Sequence, residues 1–170
     1  GKSPARFDFT KLKHLNAHYM TQMADEELAK ASLPFIQKLL NRGLSEEEQQ
    51  RLITALPDIK PRVQLLTEIA DATRFYFEEV APDEQALEKL TGEAKALLKE
   101  LAASMKELPD FTQEQIKTLI KETAKEKGLK MGDIAQPLRA ALTGSVASPP
   151  IFSAAALLGR DETLKRLEKL

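Results

Sequence analysis

The sequence predicts an all-α fold made of two consecutive helical-bundle subdomains. Apolar residues recur at intervals of three and four along several stretches, and no stretch of useful length alternates as a half-buried strand would. Serine or threonine caps and glycine stops separate these stretches. With 170 residues, 42% hydrophobic and 30% charged, the chain is long enough to bury a core as one domain or as two small subdomains.

The composition restricts the classes of function. Cysteine is absent, which excludes disulfides and thiolate metal sites. No apolar run approaches the length that spans a bilayer and no secretory signal is visible, so we expect a cytoplasmic protein with no membrane partner. The net charge of −1 argues against indiscriminate nucleic-acid binding, and we expect no DNA partner, but a locally basic face for RNA remains open.

The first predicted helix lies within residues 7–20, with Thr10 as its N-cap. His14 and His18 lie four residues apart, which is the spacing of zinc ligands on a helix. Leu15 stands where the helical zinc motif has a glutamate, and no third ligand is in view. A surface pair or partial packing is therefore favoured, and no metal site is expected.

Two short helices are predicted next, over residues 25–31 and 33–40, with Pro34 in the first turn of the second. Ser45 followed three residues later by Glu48 is a capping box and predicts the start of another helix. The acidic residues there complement the helix dipole, so they carry no catalytic interpretation.

A turn over residues 57–61 is predicted to lead into a long helix that opens at residues 59–63 and has an apolar face up to Phe77. Arg62 falls in the first turn of this helix, where a cation is slightly unfavourable against the dipole. Spacing alone favours a solvated charge. The alternative is an arginine exposed for contact with a base or a phosphate, since its planar guanidinium suits both.

Three further helical stretches follow. Residues 84–108 are strongly helical, and Gly92 is a candidate division point within them. Thr112 opens the next helix, which Gly128 ends, and the last helix is predicted over residues 164–170. The lysines and glutamates that alternate along the helix after Thr112 are interpreted as i,i+4 pairs on a solvated face.

Residues 136–152 are the most informative stretch. Pro137 is expected in the first turn of a helix because it has no N–H to donate, and Gly144 is expected to end that helix in the left-handed conformation. Ser148 is expected to cap the next helix, with the two following prolines in its first turn. Arg139 and a helix start with free N–H groups are thereby brought close together, which suits a flat, anionic ligand.

The segments PLRAALTG, SPPIF and LLG, in this order, resemble the C-terminal anticodon-binding region of bacterial glutamyl-tRNA synthetases, which are class I aminoacyl-tRNA synthetases. The residues PRV at 61–63, FYF at 75–77 and KMG at 130–132 extend the resemblance over nearly the whole chain. The chain departs from the family at His14, where members usually have tryptophan, and at Ser148, where they often have threonine. The resemblance implies a helical cage that grips the anticodon of tRNA(Glu).

The resemblance also implies roles for individual residues. An arginine at the position of Arg62 is the family's means of telling tRNA(Glu) from tRNA(Gln) by the third anticodon base. Spacing alone instead favours core packing for Ile151 and Phe152 and a weak surface salt bridge for Arg139. The positions that match anticodon contacts in the family are Arg62, Arg139, Ser148, Ile151 and Phe152. Candidates for contact with the tRNA backbone are Lys11, Lys13 and Asn16.

The apolar pattern breaks over residues 78–83, which sets the predicted domain limits. Residues 1–24 are expected to form a connecting helix that follows a catalytic region. Residues 25–82 and 83–170 are expected to form the first and second helical anticodon-binding subdomains.

No catalytic centre is expected within the chain, because it has no glycine-rich phosphate loop, no plausible triad and neither of the family's ATP-binding signatures. The resemblance implies a parent glutamate–tRNA ligase that uses ATP and Mg in translation, whereas this chain alone is expected to be an inactive monomer without a cofactor. The alternative function is an all-helical protein-interaction scaffold that does not bind RNA. Steep salt dependence of binding would distinguish RNA from an apolar partner helix.

Overall fold

The computed structural model describes residues 17–170, which form ten α-helices and no strand, so the all-α prediction is confirmed. Lys11, Lys13, Asn16 and His14 lie outside this range. The helices are α1 (Ala17–Gln22), α2 (Asp25–Leu40), α3 (Glu46–Ile59), α4 (Leu66–Thr73), α5 (Glu84–Lys89), α6 (Gly92–Lys106), α7 (Gln113–Lys127), α8 (Met131–Thr143), α9 (Ile151–Leu158) and α10 (Arg160–Glu168). None of these helices has both the length and the apolarity to cross a bilayer.

Contacts between Cα atoms divide the chain into two compact units, one ending at Arg74 and the other beginning at Phe75. The first unit contains α1 to α4, and the second contains α5 to α10. The subdomain limits predicted at residues 25–82 and 83–170 stay a prediction.

In the first unit, α2 is one unbroken helix, so the prediction of two short helices was wrong. Pro34 lies inside this helix. Because proline has no backbone N–H, the helix lacks the hydrogen bond that residue 34 would donate to the carbonyl of Lys30. The helix continues because it packs along α4 with Leu28 and Ile36 fully buried, and burial of two such side chains outweighs one backbone hydrogen bond.

The turn predicted over residues 57–61 was also wrong. Pro57 lies inside α3, and a single 3-10 turn, Lys60–Arg62, follows that helix before the chain becomes extended at Val63. Lys60 fixes this turn, because its ammonium contacts Asp25 Oδ1 at 2.7 Å and donates to the carbonyl of Met23 at 2.7 Å. Arg62 therefore ends a 3-10 turn and is exposed, instead of lying in the first turn of a long helix.

The capping box at the start of α3 is confirmed. Glu48 N donates to Ser45 Oγ at 3.1 Å, and Ser45 N donates to Glu48 Oε1 at 3.0 Å. Arg42 adds a bidentate pair to the same carboxylate, with N–O distances of 3.0 and 2.9 Å. The hydrogen bond from the Arg42 guanidinium is the main reason that the pKa of Glu48 falls from its ordinary 4.5 to about 2.

We expect Glu48 to contribute stability at neutral pH that is lost as the pH falls from about 4.5 towards 2. The pKa of Glu48 is lower in the folded chain than its ordinary value, so the ionised carboxylate stabilises the folded state. Protonation of this carboxylate at low pH removes the stabilisation. Free energies of unfolding measured against pH should therefore fall more steeply for the native chain than for Glu48→Gln in this window. Glu47→Gln is the control, since Glu47 is exposed and makes only a 3.9 Å ion pair. Parallel curves for the native chain and Glu48→Gln would contradict the assignment.

In the second unit, the division at Gly92 is confirmed, since α5 ends at Lys89 and Thr91 caps α6 by accepting from Ala94 N at 3.1 Å. The boundaries of α7 are also confirmed. Thr112 Oγ1 accepts from Gln115 N at 3.2 Å, and Gly128 ends the helix in the left-handed conformation.

Two other helix starts differ from the prediction. The helix that contains Pro137 begins at Met131, so this proline lies in the interior of α8 and is buried there. A hydrogen bond from Lys130 N to Asp133 Oδ2, at 2.9 Å, closes its first turn. The last helix, α10, begins at Arg160 and not at residue 164.

Candidate nucleic-acid interface

Arg139 extends from α8 to the loop of residues 144–150, called here the α8–α9 loop. Its Nη1 donates to Ser148 Oγ at 3.0 Å, to the Ser148 carbonyl at 3.2 Å and to the Pro149 carbonyl at 2.9 Å. The side chain is half-buried. One corner of a rigid guanidinium is thus fixed to the loop, and this sets the orientation of its whole plane.

Ser148 does not cap α9, so that prediction was wrong. The helix begins after Pro150, and no side chain caps it. The Ser148 hydroxyl is buried, where it accepts from Arg139 Nη1 and donates to the carbonyl of Pro149 at 3.0 Å. A charged donor makes a stronger hydrogen bond than a backbone N–H, which explains why the serine turns towards Arg139.

The other end of the α8–α9 loop is fixed by Thr143 and Gly144. The Thr143 hydroxyl donates to the carbonyl of Arg139 at 2.8 Å and accepts from Ser145 N at 3.1 Å. Gly144 ends α8 with φ of 77°, as predicted, and its carbonyl accepts from Asp83 N at 2.9 Å. The loop is therefore attached both to the helix before it and to the segment that precedes α5.

The two apolar candidates at the start of α9 differ in exposure. Ile151 is 1% exposed and packs in the core, as its spacing favours. Phe152 is half-buried and keeps part of its ring accessible. Of these two side chains, only Phe152 offers an aromatic surface on which a base would stack.

The structure brings Arg139, Ser148, Ile151 and Phe152 together at the junction of α8 and α9. Arg62 belongs to the first unit, where it is exposed at the end of the 3-10 turn. Within residues 17–170, no group of three or more potential ligands is arranged to hold a metal ion.

Three exposed lysines of α7 form a basic column that the sequence interpretation missed. Lys117, Lys121 and Lys125 are spaced by four, so i,i+4 spacing joins like charges here and the expected ion pairing was wrong. In the part of the chain that the structure describes, none of the three ammonium groups makes an ion pair or a hydrogen bond. The spacing itself was the signal, because residues repeated every four positions lie along one face of a helix.

The chain is similar to known proteins along nearly its whole length. A family model described as an anticodon binding domain matches residues 26–170. Glutamate–tRNA ligase 2 of Rhodospirillum centenum is 47% identical over 170 residues, and that of Zymomonas mobilis is 41% identical. These alignments cover 99% of this chain but 36% and 35% of the two relatives, so the chain spans about a third of their length.

A crystal structure of a glutamate tRNA ligase from Elizabethkingia meningosepticum, in complex with its amino acid, has the same fold over this region. The superposition gives a TM-score of 0.77 at 28% sequence identity. It covers 99% of this chain and 33% of that protein.

Proposed function

Because the chain belongs to the anticodon-binding domain family, we propose that it binds the anticodon of a tRNA and that this tRNA is the one for glutamate. The observation that carries the proposal is the family match over residues 26–170, which includes the fixed Arg139–Ser148 junction. The identity of the tRNA rests on the relatives, which are glutamate–tRNA ligases.

Each candidate residue has a proposed role that suits its surroundings. Arg139, oriented by the α8–α9 loop, and the adjoining backbone bind the edge of an anticodon base, and the accessible part of the Phe152 ring stacks on a base. Ile151 supports this surface from the core. Arg62, exposed in the first unit, reads the third anticodon base and thereby excludes tRNA(Gln).

The relatives are named as ligases, and this chain spans about a third of their length. We therefore propose that a longer protein containing this chain attaches glutamate to its tRNA, and that ATP and Mg act outside these 170 residues. The 170-residue chain itself then binds tRNA without aminoacylating it, and does so as a monomer.

Binding of the 170-residue chain to tRNA(Glu) and tRNA(Gln) at about 50 mM and about 200 mM salt tests the proposal. We expect tighter binding to tRNA(Glu) and a steep loss of affinity at the higher salt, because each phosphate contact adds a log–log slope of about −0.7 to −0.9. Contacts from the exposed lysine column of α7 would add to this slope.

Absence of binding to either tRNA would contradict the proposal and favour the protein-interaction scaffold. Equal binding to both tRNAs would contradict the discriminating role of Arg62 while leaving anticodon binding in place. The same chain with an RNA that lacks an anticodon loop is the control for contacts to phosphates alone.

A further inference from the structure

Arg166 is a buried cation that contacts the C-terminal end of α8, the helix that carries Arg139. It extends from α10 and is 2% exposed. Its Nη1 donates to the carbonyl of Leu142 at 2.7 Å, and its Nε donates to Glu162 Oε1 at 2.9 Å. Leu142 is in the last turn of α8, where carbonyls have no partner within the helix, so the guanidinium both satisfies this carbonyl and complements the negative end of the dipole.

A short series of contacts connects Arg166 to the α8–α9 loop. Leu142 directly precedes Thr143, whose hydroxyl holds both the carbonyl of Arg139 and the N–H of Ser145. The fixed position of the Leu142 carbonyl therefore sets the last turn of α8, from which the base-reading arginine and the loop both extend.

A second arginine of α10 makes the same kind of contact at a place without a candidate site. Arg160 Nη1 donates to the carbonyl of Lys106 at 2.8 Å and to that of Met105 at 3.4 Å, at the end of α6. Thus α10 fastens the ends of two helices, and only the one held by Arg166 leads into the α8–α9 loop. The pair provides a matched comparison within one helix.

We infer that Arg166 is a positioning residue for anticodon reading, which orients Arg139 and the α8–α9 loop through the carbonyl of Leu142. This inference rests on the proposed function. A residue that only stabilises the fold would change affinity for every tRNA alike. A residue that orients one base-reading arginine changes the discrimination among bases at one anticodon position, and leaves the salt dependence from phosphate contacts unchanged.

The test compares Arg166→Met with Arg160→Met. Methionine is close to arginine in length and removes both the charge and its donors. Removing one partner of a buried pair is destabilising, so the folded fraction of this variant is measured before binding. Dissociation constants are measured for tRNA(Glu) and for three variants, each with one anticodon base replaced. For Arg166→Met we expect the discrimination ratio at one anticodon position to fall about tenfold, with an unchanged salt slope. For Arg160→Met we expect all three ratios to match those of the native chain.

Unchanged ratios in Arg166→Met, or an equal fall in Arg160→Met, would overturn the inference. Failure of the proposed function is separate, because the native chain would then show no discrimination at any anticodon position. If Arg166→Met does not fold, Arg166→Lys replaces it. A lysine ammonium lacks the planar fork that sets the directions of both arginine hydrogen bonds, so it holds the Leu142 carbonyl less precisely. The same ratio should therefore fall, and an unchanged ratio would again overturn the inference.

Discussion

Replacing Gly144 with alanine is expected to lower the free energy of unfolding by about 2–5 kcal/mol and to weaken tRNA binding. Gly144 has φ of 77°, a conformation that costs an L-residue about 1–2 kcal/mol. An added Cβ would also lie 2.7 Å from the carbonyl oxygen of Val80 and 2.9 Å from that of Ala81. Backbone oxygens cannot rotate away as a side chain can, so overpacking adds about 1–3 kcal/mol.

Gly128→Ala separates the two causes. Gly128 ends α7 with φ of 66°, but no atom beyond the glycine and its two chain neighbours lies within 4 Å of an added Cβ, so this variant carries the conformational cost alone. Denaturant unfolding of both variants gives the comparison. An equal loss of stability in the two would show that the segment at Val80 and Ala81 moves away without cost, and would contradict the prediction for Gly144.

Replacing Arg62 with glutamine is expected to reduce the preference for tRNA(Glu) over tRNA(Gln) by about 1–3 kcal/mol, or roughly fivefold to 160-fold. Arg62 is exposed, and within residues 17–170 its side chain makes no ion pair or hydrogen bond. The substitution should therefore leave the free energy of unfolding within about 0.5 kcal/mol of the native value, which makes any change in binding a change in recognition.

The measurement is the ratio of dissociation constants for the two tRNAs. Lys30→Gln is the control, because it removes another exposed positive charge from the same unit. If Arg62→Gln weakens the binding of both tRNAs equally, as we expect of the control, the arginine contributes only its charge. An unchanged preference between the two tRNAs would contradict the discriminating role of Arg62.

The prolines show where reasoning from the sequence fails and why. Pro34, Pro57 and Pro137 were each assigned to a turn or to the first turn of a helix, and each lies in a helix interior. A local rule counts the one hydrogen bond that a proline removes, which is the right cost for an isolated helix. It does not count the burial that a long amphipathic helix gains from its neighbours, and that gain exists only in the folded chain.

Structural features that depend on only a few neighbouring residues were predicted correctly. The capping box of Ser45 and Glu48 and the left-handed ends at Gly128 and Gly144 need only residues within one turn. The resemblance to the anticodon-binding region of bacterial glutamyl-tRNA synthetases, which uses motifs in order along the chain, is also confirmed.

The partners of the site residues were beyond prediction. Serine is a residue type that often caps helices, and only the fold shows that the Ser148 hydroxyl accepts a hydrogen bond from Arg139 instead. The role of Leu142 as an acceptor for Arg166 had no signal at all in the sequence, because any residue has a carbonyl.

The hydrogen bond from Asp83 N to the Gly144 carbonyl has a consequence for the order of folding. It joins residues far apart along the chain, whereas α7 and α8 pack as sequence neighbours through local contacts. Closing a long loop costs entropy that only later contacts recover, so this attachment is expected to form after the transition state for folding. Strain introduced at Gly144 is then expected to speed unfolding and to leave the folding rate nearly unchanged, so the attachment of the α8–α9 loop to the segment before α5 is a late step in folding.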